Sequence, residues 1–256
     1  MGESWGVSIQ PFSNVPYWSL NYEVWYYIFF GLFVFWPGPG RFWVLATASL
    51  ICGPKILLLL PVWLMGVHLY RAPLWARLSG NWAVILYILS WVLLIVFYRF
   101  DLLTFFGDIV KEVVGTEFFN ARLAYSKFFL GDYILGLIVL LNFAAFRAAS
   151  VRLGHGLVAC SRLIRWAAGF TLSLYLFHRP LLLFYAALIK GPRGPAFHVA
   201  VISLTLVSVL LLGHVTEHQK DRYRRLFLRL IGAFEALVTR WFPKAPARSS
   251  SRTTRL

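Results

Sequence analysis

The chain has 256 residues, of which 59% are hydrophobic, 18% aromatic and only 14% charged. A soluble domain carries about a quarter charged residues, so this composition excludes an ordinary water-soluble fold and indicates a multi-pass membrane protein. The net charge of +15 does not imply nucleic acid, because the basic residues lie in short loops between apolar runs and in the C-terminal stretch.

Along the chain, residues 1–15 have no basic stretch followed by an apolar one, so no cleavable signal is expected. Gly6 stands where N-myristoylation needs Ser or Thr. Residues 16–36 form the first expected span, an aromatic run whose one carboxylate is Glu23. A charge near hydrocarbon costs several kcal/mol, so a membrane helix that keeps one has a use for it. Ser19, Glu23 and Tyr27 fall at i, i+4 and i+8, which puts a hydroxyl, a carboxylate and a phenol on one helical face.

Further spans are expected at 82–100, 127–146, 166–189 and 197–217. Residues 42–70 are long for one crossing and short for two, and Gly53-Pro54-Lys55 interrupts them. Loop charge breaks the tie. Residues 71–81 carry Arg71 and Arg77 without an acid, and 147–165 carry Arg147, Arg152, Arg162 and Arg165 without an acid, whereas 99–127 is balanced. Placing both uncompensated loops in the cytoplasm requires two crossings within 42–70. The expectation is an all-α bundle of about seven spans in the cell membrane, with the N-terminus outside, 101–126 outside and the C-terminus cytoplasmic.

From His218 onward there are ten Lys/Arg against Asp221 and Glu235. Within 218–242, Arg222, Arg225, Arg229 and Arg240 lie on one face and Leu226, Leu230, Phe234, Leu237 and Trp241 on another. That pattern predicts an interfacial helix on an anionic leaflet, followed by a disordered basic tail at 243–256. Residues 1–217 are then one membrane domain. Cys52 and Cys160 form neither a disulfide framework nor a metal motif.

A second polar constellation lies in the span at 166–189. Thr171, Tyr175 and His178 fall at i, i+4 and i+7, and Pro180 removes a backbone donor beside the imidazole. Histidine moves protons near neutral pH and Arg179 can hold an anionic group; equally, His178 can bridge helices and Arg179 can snorkel to an interface. Asp132, early in its span, reads as solvated, Glu217 as a capping or interfacial residue, and His68 as a packing residue. His155, His198 and His214 have no ligand spacing, so no metal is expected.

These segments together resemble the acyltransferase type 3 family of membrane acyltransferases. Trp18-Ser19-Leu20-x-x-Glu23-x-x-Tyr26-Tyr27 is similar to its tryptophan-serine-leucine…glutamate…aromatic-tyrosine motif, and Leu64-Met65-Gly66 within Trp63–Tyr70 to its aromatic-x-x-glycine span. Thr171 to His178 is similar to its serine-tyrosine-x-x-tyrosine-x-x-histidine helix, with Thr171 and Leu172 replacing serine and tyrosine. The Glu217 region is similar to its closing glutamate, without the proline that often follows. The resemblance covers roughly residues 10–225.

The resemblance implies O-acyl transfer from acyl-CoA or a similar thioester to a hydroxyl of a surface carbohydrate or lipid-linked sugar, with no bound cofactor. It implies catalytic roles for Glu23 and His178 and substrate contacts from Trp18, Ser19, Tyr27, Tyr175 and Arg179. Family members begin with a helix carrying an arginine and an essential histidine, and no His, Arg or Lys precedes Trp18 here. The chain is therefore expected to correspond to the C-terminal part of such an enzyme and to turn over weakly alone. The rival readings are a non-catalytic membrane scaffold and a proton-coupled transporter using Glu23 and His178.

Overall fold

Apolar runs of this length fold as helices because a helix satisfies every internal backbone donor and acceptor within itself. A computed structural model describes residues 3–5, 7–9, 14–71 and 80–241, and among these nearly all are helical. The expected tail at 243–256 and most of the loop at 71–81, Arg77 included, lie outside the described residues.

A two-stranded hairpin, β1 (Glu3–Ser4) and β2 (Val7–Ser8), comes first, and a 3-10 turn at Val15–Tyr17 leads into α1 (Trp18–Phe35). Then follow α2 (Gly40–Cys52), α3 (Pro54–Arg71), α4 (Gly80–Arg99), α5 (Leu102–Val114) and α6 (Thr116–Ala121). A 3-10 turn at Ala124–Ser126 precedes α7 (Phe129–Leu153), α8 (His155–Ala159) and α9 (Ser161–Ala168). The chain continues through α10 (Thr171–Leu188), α11 (Pro195–Val215) and α12 (Lys220–Trp241).

Four helices, α4, α7, α10 and α11, are long and apolar enough to cross a membrane, and a fifth crossing results if α2 and α3 count as one bent element. The seven expected spans also included α1 and counted α2 and α3 separately. α1 has 18 residues, but Ser19, Asn21 and Glu23 dilute its first two turns. The 13 residues of α2 rise about 20 Å, short of the ~30 Å hydrocarbon core. The axes of α2 and α3 turn by 119° at Gly53.

The hairpin closes over that turn. The Trp5 N–H donates to the Cys52 carbonyl (3.4 Å), and the Trp5 indole donates to Leu50 (2.8 Å). Lys55 Nζ lies 2.6 Å from Glu3 Oε2, both side chains being 1% exposed, and it also donates to the Val7 carbonyl. Ser8 Oγ donates to the other Glu3 oxygen (2.6 Å). Gly53 has φ +85, and a Cβ there would sit 2.7 Å from the Trp5 nitrogen and 3.0 Å from its Cα. Gly53→Ala is therefore expected to destabilise the fold by about 1–3 kcal/mol, measured by thermal unfolding in detergent.

Tyr22, Tyr26, Phe29, Ala48, Cys52 and Ile56 form the core between α1, α2 and α3. Tyr26 donates to the Ile56 carbonyl (2.9 Å), Tyr22 shares a hydrogen bond with Ser126 (3.1 Å), and Ser126 donates to the Lys55 carbonyl (2.5 Å). Buried Ala83, Ala144, Ala145 and Ala149 allow α4 and α7 to approach closely, and Asn142 donates to Ser90 across them (2.9 Å).

These contacts place the hairpin, the start of α1, the α2–α3 turn and Ala124–Ser126 at one end of the bundle. From there α3 and α7 run side by side: Tyr133 donates to Leu58 (2.5 Å) and, at the far end, Arg147 to Leu69 (3.4 Å). The start of α10 and the end of α11 come to that same first end. Tyr175 donates to the Pro16 carbonyl, Asn14 to the Leu176 carbonyl (2.9 Å), and Glu217 accepts from the Ser173 N–H (2.5 Å).

The Tyr175–Pro16 contact sets the start of α1 beside the first turns of α10, where loop charge had led to the expectation of opposite faces, and the connection between α7 and α10 contains α8 and α9.

Candidate functional site

The proline in α10 explains how the N-terminal segment finds it. Pro180 has no N–H, so the carbonyl four residues back, Leu176, loses its helical donor. The Asn14 side chain supplies that donor at 2.9 Å. One turn away, Ser19 Oγ and the Tyr175 hydroxyl lie 2.5 Å apart. A carbonyl only accepts, so the Tyr175 proton goes to Pro16, and Ser19 must donate to the Tyr175 oxygen. Ser19 is thus an oriented donor rather than a nucleophile.

His178 is half-buried, with Nδ1 2.9 Å from the Leu174 carbonyl and 3.0 Å from the Tyr175 carbonyl. The same logic puts the proton of the neutral ring on Nδ1. Nε2 then carries the lone pair, the state a general base needs.

Trp18 stacks on Tyr125, with ring centroids 4.6 Å apart and planes 3° from parallel, and meets the edge of Tyr22 at 5.1 Å. Burial pushes the Tyr125 hydroxyl above its ordinary range and the Glu3 charge adds to the rise, while Arg179 opposes it. Arg179, midway along α10 beside His178, is exposed.

Glu23 opens on a cavity of about 410 Å³ whose lining includes Trp18, Ser19, Tyr22, Tyr26, Trp63 and Asp132. Ser19 therefore links this cavity to Tyr175 on α10. His178, Arg179 and Tyr27 do not line it. Tyr27 is 63% exposed and packs edge-on to Trp63 at 5.6 Å. Asp132, read from sequence as a solvated residue, instead shares the cavity with Glu23.

Glu217 does cap a helix, but the helix is α10, where its carboxylate takes a first-turn N–H at Ser173. Beside it, Ser173, Thr216, Glu217, Tyr223 and Arg224 help line a second cavity of about 890 Å³ where α10, α11 and α12 meet.

Sequence reasoning missed Asn14, Asp132 and Tyr125. The absent donor at Pro180 signalled the first, and a carboxylate within an apolar run signalled the second. Nothing local marked Tyr125.

No family model, curated protein or solved structure matches this chain. The likeness to the acyltransferase type 3 family rests on the motif residues themselves.

Proposed function

We propose that this chain takes part in O-acyl transfer within a membrane, from a thioester such as acyl-CoA to a hydroxyl of a lipid-linked sugar or surface carbohydrate. The observation that carries this reading is the hydrogen bond between Ser19 and Tyr175. It joins two motif segments, 156 residues apart, that the resemblance assigns to one active site. In the proposed step, Nε2 of His178 takes the acceptor hydroxyl proton while that oxygen attacks the thioester carbonyl. The C–S bond breaks, and the thiolate leaves with a proton returned from the imidazole. Glu23 accepts a hydrogen bond from a neighbouring hydroxyl of the acceptor sugar, Arg179 pairs with a donor phosphate, and Trp18 and Tyr27 supply aromatic surface for the substrates.

Charge then sets the orientation. α12 starts from the end that holds Pro16 and Lys55, and the sequence from there onward has the largest uncompensated positive charge. We therefore place this end in the cytoplasm, with α12 along an anionic leaflet. This reverses the N-terminus-outside expectation and puts Ser19 and Tyr175 on the side of a cytoplasmic donor. In a background with Cys52 and Cys160 replaced, Glu112→Cys should be shielded from an impermeant thiol reagent in intact cells and Gly156→Cys labelled. The opposite pattern would restore the first orientation.

The functional test follows a labelled acyl group from the thioester into the lipid-linked sugar and glycan fractions of membranes that contain the chain. Label above a vector control is expected, and its absence removes the acyl-transfer reading. The cavity shared by Glu23 and Asp132 favours a proton-coupled transporter as the second reading. That reading predicts solute uptake that collapses with Asp132→Asn and no acyl transfer.

A further inference from the structure

We infer that the chain binds a phospholipid with a zwitterionic head group in a two-part site formed by α3, α5, α6 and α7. This inference rests on the membrane reading and is independent of acyl transfer. The first part is an apolar chamber of about 550 Å³, with Leu57, Leu58, Val110, Leu123 and Leu130 among its walls. Tyr133 is its polar exception, and that hydroxyl is committed to the Leu58 carbonyl at 2.5 Å. No wall group is therefore left to select a polar ligand. Chain-like hydrocarbon is what such a space accepts.

The second part is a polar pocket of about 440 Å³ lined by Gly115, Thr116, Glu117 and Arg122, and it shares Val114 and Phe118 with the first. An apolar chamber that shares Val114 and Phe118 with a pocket carrying one cation and one anion has the polarity of an amphiphile. Arg122 suits a phosphate and Glu117 an ammonium group. An anionic head group without an amine would meet Glu117 unfavourably, and an uncharged glyceride would use neither residue. Lys127 does not compete for the phosphate, because its ammonium is turned onto Phe119 and Phe128 at 5.6 and 5.2 Å from their ring centres.

Depth agrees with this occupant. From Pro54 to Leu58 and from Phe129 to Tyr133 each helix rises about 6 Å, so the chamber lies just beneath the bundle end that holds the polar pocket. Val113, 81% exposed beside the chamber, then meets lipid rather than water.

The test is native mass spectrometry of the purified chain after exchange with phosphatidylethanolamine or phosphatidylglycerol. One phosphatidylethanolamine should be retained per chain, at least about tenfold over phosphatidylglycerol. Arg122→Glu should lower retention of both lipids by removing the phosphate partner, and Glu117→Gln should move the preference toward phosphatidylglycerol. Val113→Trp, at an exposed position that tolerates a large side chain, should reduce retention of both lipids by narrowing the chamber. Equal retention of the two lipids by the native chain, or retention unchanged in Arg122→Glu and Glu117→Gln chains that melt like the native one, would overturn the proposal.

Discussion

Glu3→Ala is expected to destabilise the chain by about 3–5 kcal/mol, the usual cost of removing one partner from a buried ion pair. The Lys55 ammonium is 1% exposed and has Glu3 as its counter-charge. Without that carboxylate only the Val7 carbonyl answers it, and the hairpin that supplies Val7 loses its anchor. The disturbance should spread, because the Lys55 carbonyl holds Ser126 and Ser126 holds Tyr22 in the second turn of α1. Lys55→Ala should cost a similar amount by stranding Glu3. Glu3→Leu combined with Lys55→Met should recover most of the loss, since an apolar pair of similar size has no charge to desolvate. Thermal unfolding in detergent, with circular dichroism as readout, compares the three variants with the native chain. A Glu3→Ala chain that melts with the native one would show that the pair is not buried.

His178→Ala should lower acyl transfer by about 10²–10⁴-fold, the range for a positioned general base. The structure explains why Asn should not rescue it. An asparagine amide can replace the Nδ1–H donated to Leu174 and Tyr175, but it has no basic atom in the place of Nε2. A loss confined to kcat, with KM for the thioester unchanged, distinguishes a missing base from a distorted helix, which would also weaken binding. Both variants should melt like the native chain, because half-buried His178 hydrogen-bonds, among the described residues, to carbonyls of its own helix.

The helices were legible from sequence as apolar runs of sufficient length, and Gly53-Pro54 announced the break between α2 and α3. Glu23 was legible as a carboxylate too costly to carry idly in a membrane, and Tyr175 by its place on one helical face with Thr171 and His178. Long-range partners were not. Lys55, within an apolar run, required a counter-charge, yet Glu3 lies 52 positions away in a segment without periodicity. Pro180 left a carbonyl unpaired, but no local rule points from there to Asn14. Asp132 was read as solvated because it opens its helix; α1 and α3 complete the cavity around it. Loop charge gives an orientation only where each connection turns straight back, and 147–165 holds two further helices, α8 and α9.

The central claim is that Ser19 and Tyr175 act as one unit in acyl transfer. A double-mutant cycle on the labelled-thioester assay tests it most directly. Ser19→Ala and Tyr175→Phe should each reduce kcat/KM by roughly 2- to 10-fold, the scale of one hydrogen bond. The double variant should lose no more than the worse single one, because both substitutions break the same bond. Losses that multiply, or a native chain whose transfer does not exceed the vector control, would contradict a shared site.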